Sequence, residues 1–226
     1  MNKILATEPH LLMSIVGPSG SGKTLLLSKL LLRHEELFNP PFQKIVYFYK
    51  HWQPIYSQIQ VSLGSTGIQF ICGVNWAKID ALLETVRHLL IFDDVYTDIA
   101  DTTEFLNLVV SGRHRNLHAI FLKHNLYHKS KNSKTIDLNI THLILLKNPR
   151  DINQIDHLGR QLGCRRILID SYRTATLEPF GHLLIDLSPH CCDLLRLASN
   201  ITEETSIFYA SDKHKKIIHL NAIKNC

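Results

Sequence analysis

Gly17-Pro18-Ser19-Gly20-Ser21-Gly22-Lys23-Thr24 decides how the rest of this 226-residue chain is read. Its spacing, a glycine, four residues and then Gly-Lys-Thr, fills every fixed position of a phosphate-binding loop. The glycines let the chain turn so that backbone N–H groups point inward at an anion, and a helix opening near Gly22 adds its positive end. The cradle runs from Gly17, Pro18, Ser19, Gly20, Ser21 and Gly22 through to Leu25. Within it Lys23 brings a positive charge to the β- and γ-phosphates, and Thr24 offers a hydroxyl to Mg2+. The apolar run Leu11-Leu12-Met13-Ser14-Ile15-Val16 precedes the loop as a buried strand, and residues 24–33 follow it with a wide apolar helical face. Strand, loop and helix agree, so the expected ligands are ATP, or a close relative, and Mg2+.

Outward from the loop, short runs rich in Val, Ile, Leu and Phe alternate with segments of helical spacing. Strands are expected over residues 44–49, 68–72 (an edge strand), 88–94, 117–122 and 141–147. Helices are expected over 75–87 with Asn75 as N-cap, over 101–110, and over 151–162 with Gly163 closing the last. Residues 51–67 read as a connection punctuated by Pro and Gly, and 128–134 as a polar, basic loop. Further strands are expected over 181–187, 206–209 and 216–220, the last pair forming a hairpin around Asp212. This alternation specifies an α/β fold with a mostly parallel central sheet flanked by helices. The length suits one domain over residues 1–226, with its core at about 10–187 and C-terminal strands over about 188–226.

Hydrolysis needs an acid at the carboxyl tip of a buried strand, where it holds the water shell of Mg2+. Leu89-Leu90-Ile91-Phe92-Asp93 fits, and Asp94 follows it in position to orient or deprotonate the attacking water. The plainer alternative leaves Asp93 as the metal acid and Asp94 as a turn cap. An aspartate reaches about one methylene less far than a glutamate, a gap that a water or a backbone shift has to close. The strand over 117–122 carries a polar tip and suggests the additional-strand (ASCE) arrangement, in which an extra strand lies between the loop strand and the acid strand. There His124 or Asn125 can touch the γ-phosphate and sense hydrolysis. Before that strand, Ser111-Gly112-Arg113-His114-Arg115-Asn116 offers Arg113 or Arg115 as a finger reaching a neighbouring subunit's nucleotide.

Composition narrows the classes. Hydrophobic residues make up 45% and charged residues 20%, as in ordinary folded proteins, and no apolar run approaches the ~20 residues of a membrane span. With no secretory leader at the start, an intracellular protein is expected and no membrane partner. Five cysteines without CxxC spacing read as reduced thiols rather than a disulfide framework or zinc ribbon. A net charge of +5 permits a polyanionic partner without establishing one. Of fourteen histidines, the pairs His114/His118 and His124/His128 have i, i+4 spacing that can place two rings on one helix face, but neither sits in HExxH and no third ligand is evident.

These stretches together resemble one family, the FtsK/HerA-like genome-packaging ATPases of double-stranded DNA viruses, including poxvirus-type, polinton and virophage members. The likeness covers residues 16–151 and continues weakly through Gly181-His182-Leu183-Leu184-Ile185-Asp186-Leu187-Ser188-Pro189. Its discriminating parts are the Gly-Arg-His stretch at 112–114 and Lys147-Asn148-Pro149-Arg150-Asp151, with Asn125-Leu126-Tyr127 between them. The resemblance implies a RecA/FtsK-like P-loop fold and a pentameric or hexameric ring that uses ATP to drive double-stranded DNA into a preformed capsid. It also implies a capsid or portal-vertex partner, and action inside the host cell at the site of virion assembly or in the virion itself. It favours Arg113 over Arg115 as the finger. His124 stands where the family usually has Gln, which leaves the sensor open between His124 and Asn125.

Two other readings compete with the motor. A nucleoside or nucleotide kinase uses the same loop, but usually has its acid strand next to the loop strand and an Arg-rich lid. A nucleotide-gated assembly scaffold would bind ATP without turnover. For the motor, DNA contacts are expected to be phosphate contacts from pore-facing loops, with Lys129, Lys131 and Lys134 as contributors.

Overall fold

A computed structural model of the chain describes residues 5–6, 10–64, 67–83, 87–115 and 117–210. Its strands are β1 (Leu5–Ala6), β2 (Leu11–Val16), β3 (Phe38–Asn39), β4 (Lys44–Tyr49), β5 (Ile68–Cys72), β6 (His88–Asp93), β7 (His118–Lys123), β8 (His142–Leu146), β9 (His182–Asp186), β10 (Leu197–Ser199) and β11 (Ile207–Phe208). Its helices are α1 (Lys23–Leu32), α2 (His34–Leu37), α3 (Pro54–Leu63), α4 (Trp76–Leu83), α5 (Tyr96–Ile99), α6 (Thr103–Ser111), α7 (Ser133–Asn139), α8 (Ile152–Gln161) and α9 (Arg165–Ala175). A 3-10 turn occupies Gly112–Arg115.

The main sheet runs β11-β10-β9-β8-β2-β7-β6-β4-β5. From β8 to β5 every pairing is parallel, and β9, β10 and β11 continue it antiparallel. Strands β2, β6 and β7 are buried along their whole length, without the polar alternation of a half-exposed strand, because helices cover both faces. On one face Leu27, Leu30 and Leu31 of α1 pack with Tyr56 and Ile59 of α3. On the other, Phe105, Leu108 and Val109 of α6 pack with Ile136 of α7. Ile155 and Leu158 of α8 and Leu168 and Tyr172 of α9 close over β8 and β9.

Register is what positions the site. Val16 lies opposite Lys123, and Tyr49 opposite Asp93, so the carboxyl ends of β2, β7, β6 and β4 share one edge, where ligands of parallel sheets bind. Strand β7 stands between β2 and β6, the additional-strand order expected above and the reverse of the kinase arrangement.

Several expected elements need correction. Residues 51–67 contain a ten-residue helix, α3, because Pro54 begins it at a position where its missing N–H costs nothing, and Tyr56 and Ile59, three apart, fall on its buried face. The basic loop at 128–134 is shorter than expected, since α7 already begins at Ser133. Residues 165–175, for which no element was expected, form α9: only Leu168, Ser171 and Tyr172 are buried, too thin a stripe to stand out among its arginines. Asn75 does cap α4, its Oδ1 accepting the Lys78 N–H at 3.0 Å. The expected hairpin around Asp212 lies outside the described residues.

Candidate nucleotide site

The loop between β2 and α1 has the conformation its glycines permit. Gly20 and Gly22 have φ of 78° and 95°, a region that side chains resist. Gly17 is needed for space instead: a Cβ there would lie 2.5 Å from Ser21 Oγ and 3.0 Å from Leu146 Cβ. The Gly17 N–H donates to the Lys123 carbonyl at 3.1 Å and ties the loop's start to the tip of β7. Lys23, 8% exposed, folds back over the loop and donates to the carbonyls of Gly17 at 2.8 Å and Pro18 at 3.0 Å. Burial pulls its pKa below the usual lysine value, while Asp94 and Asp93 pull the other way.

Asp93 ends β6 and is 1% exposed. Its Oδ2 accepts from Tyr47 Oη at 2.7 Å, from Tyr56 Oη at 2.8 Å and from Thr24 Oγ1 at 3.4 Å. Burial pushes its pKa above the usual carboxylate value, and the two tyrosine hydroxyls oppose that rise. Burial first, then the neighbouring Asp93, push both phenols upward, so each remains a protonated donor. Thr24 and Asp93 therefore stand side by side as hard oxygen donors, which is the donor chemistry Mg2+ requires. Sequence reasoning missed Tyr47 and Tyr56. Tyr47 was placed only as one member of a strand, and Tyr56 fell in the stretch read as a connection.

Asp94 is turned the other way by a left-handed backbone, with φ of 57°. Asp tolerates this region better than most residues, because its short polar chain bonds locally. Its Oδ2 accepts from Gln53 Nε2 at 3.5 Å, and its Oδ1 lies 3.6 Å from His124 Nε2. The other ring nitrogen, His124 Nδ1, lies 3.5 Å from Lys23 Nζ. An ammonium only donates, so Nδ1 is the acceptor in that contact, and Nε2 is the ring nitrogen that faces Asp94. His124 thus bridges the loop lysine and the second acid. Asn125 is exposed and lines the adjoining cavity with Asp94, Tyr96, Thr97 and His128.

The arginine stretch lies elsewhere. The turn Gly112–Arg115 precedes the first residue of β7, at the opposite end of the parallel strands from the loop. Arg115 is ion-paired on the surface with Asp80 of α4 at 2.8 Å. Neither arginine is brought to the chain's own loop by its backbone position. The histidine pairs also separate: His118 is buried in β7, its Nδ1 accepting the Leu11 N–H at 3.1 Å, and burial lowers its pKa to about 3. His124 and His128 follow β7 in a turn rather than on a helix. Among the described residues there is no group of three or more His, Cys, Asp or Glu suited to a metal. Nor is any helix among them long and apolar enough to cross a membrane.

Comparison with known proteins bears on the family and the fold. Residues 2–171 match the model of the family described as Poxvirus A32 protein. No curated protein matches in sequence. Among solved structures, the genome packaging NTPase B204 from Sulfolobus turreted icosahedral virus 2, in complex with ATP-gammaS, is similar over 93% of this chain and 98% of its own, with a TM-score of 0.52 and 15% identity. That likeness is one of fold. The cytoplasmic domain of EssC is similar over 66% of this chain and 34% of its own, at 15% identity and a TM-score of 0.48.

Proposed function

The chain belongs to the poxvirus A32 protein family, and from that premise and the loop's geometry we propose that it is an ATPase motor that packages double-stranded viral DNA into a preformed capsid. The observation that carries this reading is the convergence of Lys23, Asp94 and His124 at one strand edge, beside Thr24 and the buried Asp93. B204, of similar fold, is a genome packaging NTPase captured with a nucleotide, which supports the assignment.

Each residue then has a role. Backbone N–H groups of residues 17–25 hold the phosphates, and Lys23 leaves its loop carbonyls for the β- and γ-oxygens. Thr24 and Asp93 are the residues that would hold Mg2+, which when bound would supply positive charge to offset that developing on the phosphates. Asp94 orients the attacking water and accepts its proton. His124, touching both Lys23 and Asp94, senses loss of the γ-phosphate ahead of Asn125. Arg113 of a neighbouring subunit in a ring of five or six compensates transition-state charge, ahead of Arg115, whose guanidinium is already paired with Asp80. The ring acts in the host cell where virions assemble, at the capsid or portal vertex.

The test is ATP hydrolysis by the purified chain with and without duplex DNA. Stimulation by DNA of any sequence is expected, weakening steeply with salt because the contacts are to phosphates. A rate indifferent to DNA counts against the motor, and ATP binding without any turnover leaves only the scaffold.

A further inference from the structure

Lys23, Asp94 and His124 meet on the β7 and β6 side of the loop, where the proposed function puts the reacting end of the nucleotide. That leaves the other side of β2, toward β8 and β9, for the nucleoside end. Register defines what waits there. Val16 pairs with Leu145, and Leu146 pairs with His182, so the residues just before β9 reach the same edge as the loop. One of them is Phe180. A Cβ on Gly22 would lie 2.6 Å from Phe180 Cδ1, so one part of the ring rests directly on the last glycine of the loop. The residue is nonetheless 56% exposed, which leaves much of the ring bare beside the phosphate cradle.

Phe180 also has φ of 62°, a conformation that is a genuine outlier for a bulky side chain. Such strain persists only where the surroundings impose it, and it concentrates at ligand sites. Here the surroundings are a tight turn. Gly181 N–H donates to the Glu178 carbonyl at 3.1 Å and Leu177 N–H to the Thr174 carbonyl at 3.3 Å. Lys147 Nζ holds the Leu177 carbonyl at 3.3 Å. A Cβ at Gly181 would come within 2.4 Å of the Ala175 carbonyl oxygen, so the turn admits no side chain at that position. The chain thus presents an apolar aromatic face to solvent, in a strained backbone, at the mouth of an anion site. Burying that ring in the core would relieve its exposure, and the turn prevents it.

We propose that Phe180 is the stacking platform for the nucleobase of the bound nucleoside triphosphate, resting on Gly22 and presenting its free face to the base. The inference rests on the nucleotide reading of the loop and adds the half of the ligand that the phosphate motif does not address. Stacking uses the π-face common to all bases, so the platform adds affinity without choosing between adenine and guanine.

The test compares ATP with inorganic tripolyphosphate, which has the phosphates and no base, on the full chain with Mg2+ by calorimetry. Phe180→Ala is expected to weaken ATP between about 5-fold and 150-fold, the usual range for one base stacked on one ring, and to leave tripolyphosphate unchanged. Phe180→Trp is expected to keep ATP affinity and to add fluorescence, over that of Trp52 and Trp76, that ATP quenches and tripolyphosphate does not. GTP is expected to lose affinity by a similar factor. Unchanged ATP affinity in Phe180→Ala overturns the platform, and so does an equal loss of ATP and tripolyphosphate, which would mean that the ring only shapes the loop through Gly22. Should Phe180→Ala not fold, the quenching pattern of Phe180→Trp decides alone. Failure of the underlying reading looks different: the wild-type chain would bind ATP no better than Lys23→Ala does, and both inferences would fall together.

Discussion

Asp93 and Asp94 are adjacent in the chain and opposite in their settings. Asp93 ends a buried strand with two tyrosine hydroxyls and a threonine hydroxyl on one oxygen, whereas Asp94 is turned by a left-handed backbone into the open, between Gln53 and His124. One carboxyl is bonded by tyrosines of β4 and α3, and the other is partly exposed and faces His124 after β7. Two carboxyls of one chemistry acquire two roles when their surroundings differ, and in the function proposed above the division falls between metal holding and proton acceptance. The difference also assigns the cost of each role. The buried acid needs partners buried with it, and the partly exposed one stands on a backbone that few residues tolerate.

The largest expected effect comes from attacking the open side. Asp94→Asn should lower turnover by about 100- to 10,000-fold, the range for losing a positioned base, with ATP affinity retained in equilibrium binding. Lys23→Ala should abolish turnover together with that affinity. If Asp94→Asn turned over at the wild-type rate, Asp94 would be only a turn cap and the contrast with Asp93 would have no catalytic meaning.

Next in size is a mixing experiment. Arg113→Ala subunits combined with Asp94→Asn subunits should recover part of the activity each lacks alone, because a ring then contains interfaces with one intact acid and one intact arginine. Mixed rings, verified by mass, that show no recovery remove Arg113 from the site.

The clamped side gives a smaller effect that reads as a pH shift. Burial raises the Asp93 pKa and the tyrosine hydroxyls hold it down, so Tyr56→Phe should raise it further. Protonated Asp93 no longer holds the cation, so activity falls as pH drops through that pKa. The acid limb of the rate profile should therefore move to higher pH in Tyr56→Phe, and excess Mg2+ should move it partly back. A profile unchanged from wild type would show that the hydroxyl does not govern Asp93.

The smallest effect belongs to Arg115. Its pairing with Asp80 is at the surface, so Arg115→Ala should change stability by less than about 1 kcal/mol in denaturant titration and leave turnover near wild type. A large loss of turnover would transfer the finger from Arg113 to Arg115.

Much of this site is legible in the sequence alone, and the reason is locality. The loop at residues 17–24 specifies its own conformation, since left-handed Gly20 and Gly22 and a close approach at Gly17 are properties of neighbouring residues. The adjacent acids were legible for the same reason, as the tip of an apolar run. Tyr47 and Tyr56 were not, because their bonds to Asp93 span 46 and 37 residues and no local pattern marks them. Helix α3 was obscured by Pro54, read as a break where it is a start, and α9 by a thin apolar stripe. Sequence offers both His124 and Asn125, with Asn125 closer to the usual amide; packing sets His124 between Lys23 and Asp94 and leaves Asn125 exposed at the adjoining cavity.

The sequence by itself determined a loop with the spacing of a phosphate cradle between a buried strand and a helix, because such a cradle is built from one short stretch of backbone. Tertiary structure alone decided which strand stands beside the loop, which acid is clamped and which is open, and which aromatic ring lies across Gly22. Those outcomes depend on strand order and register, which bring residues dozens or more than a hundred positions apart to one edge of the sheet.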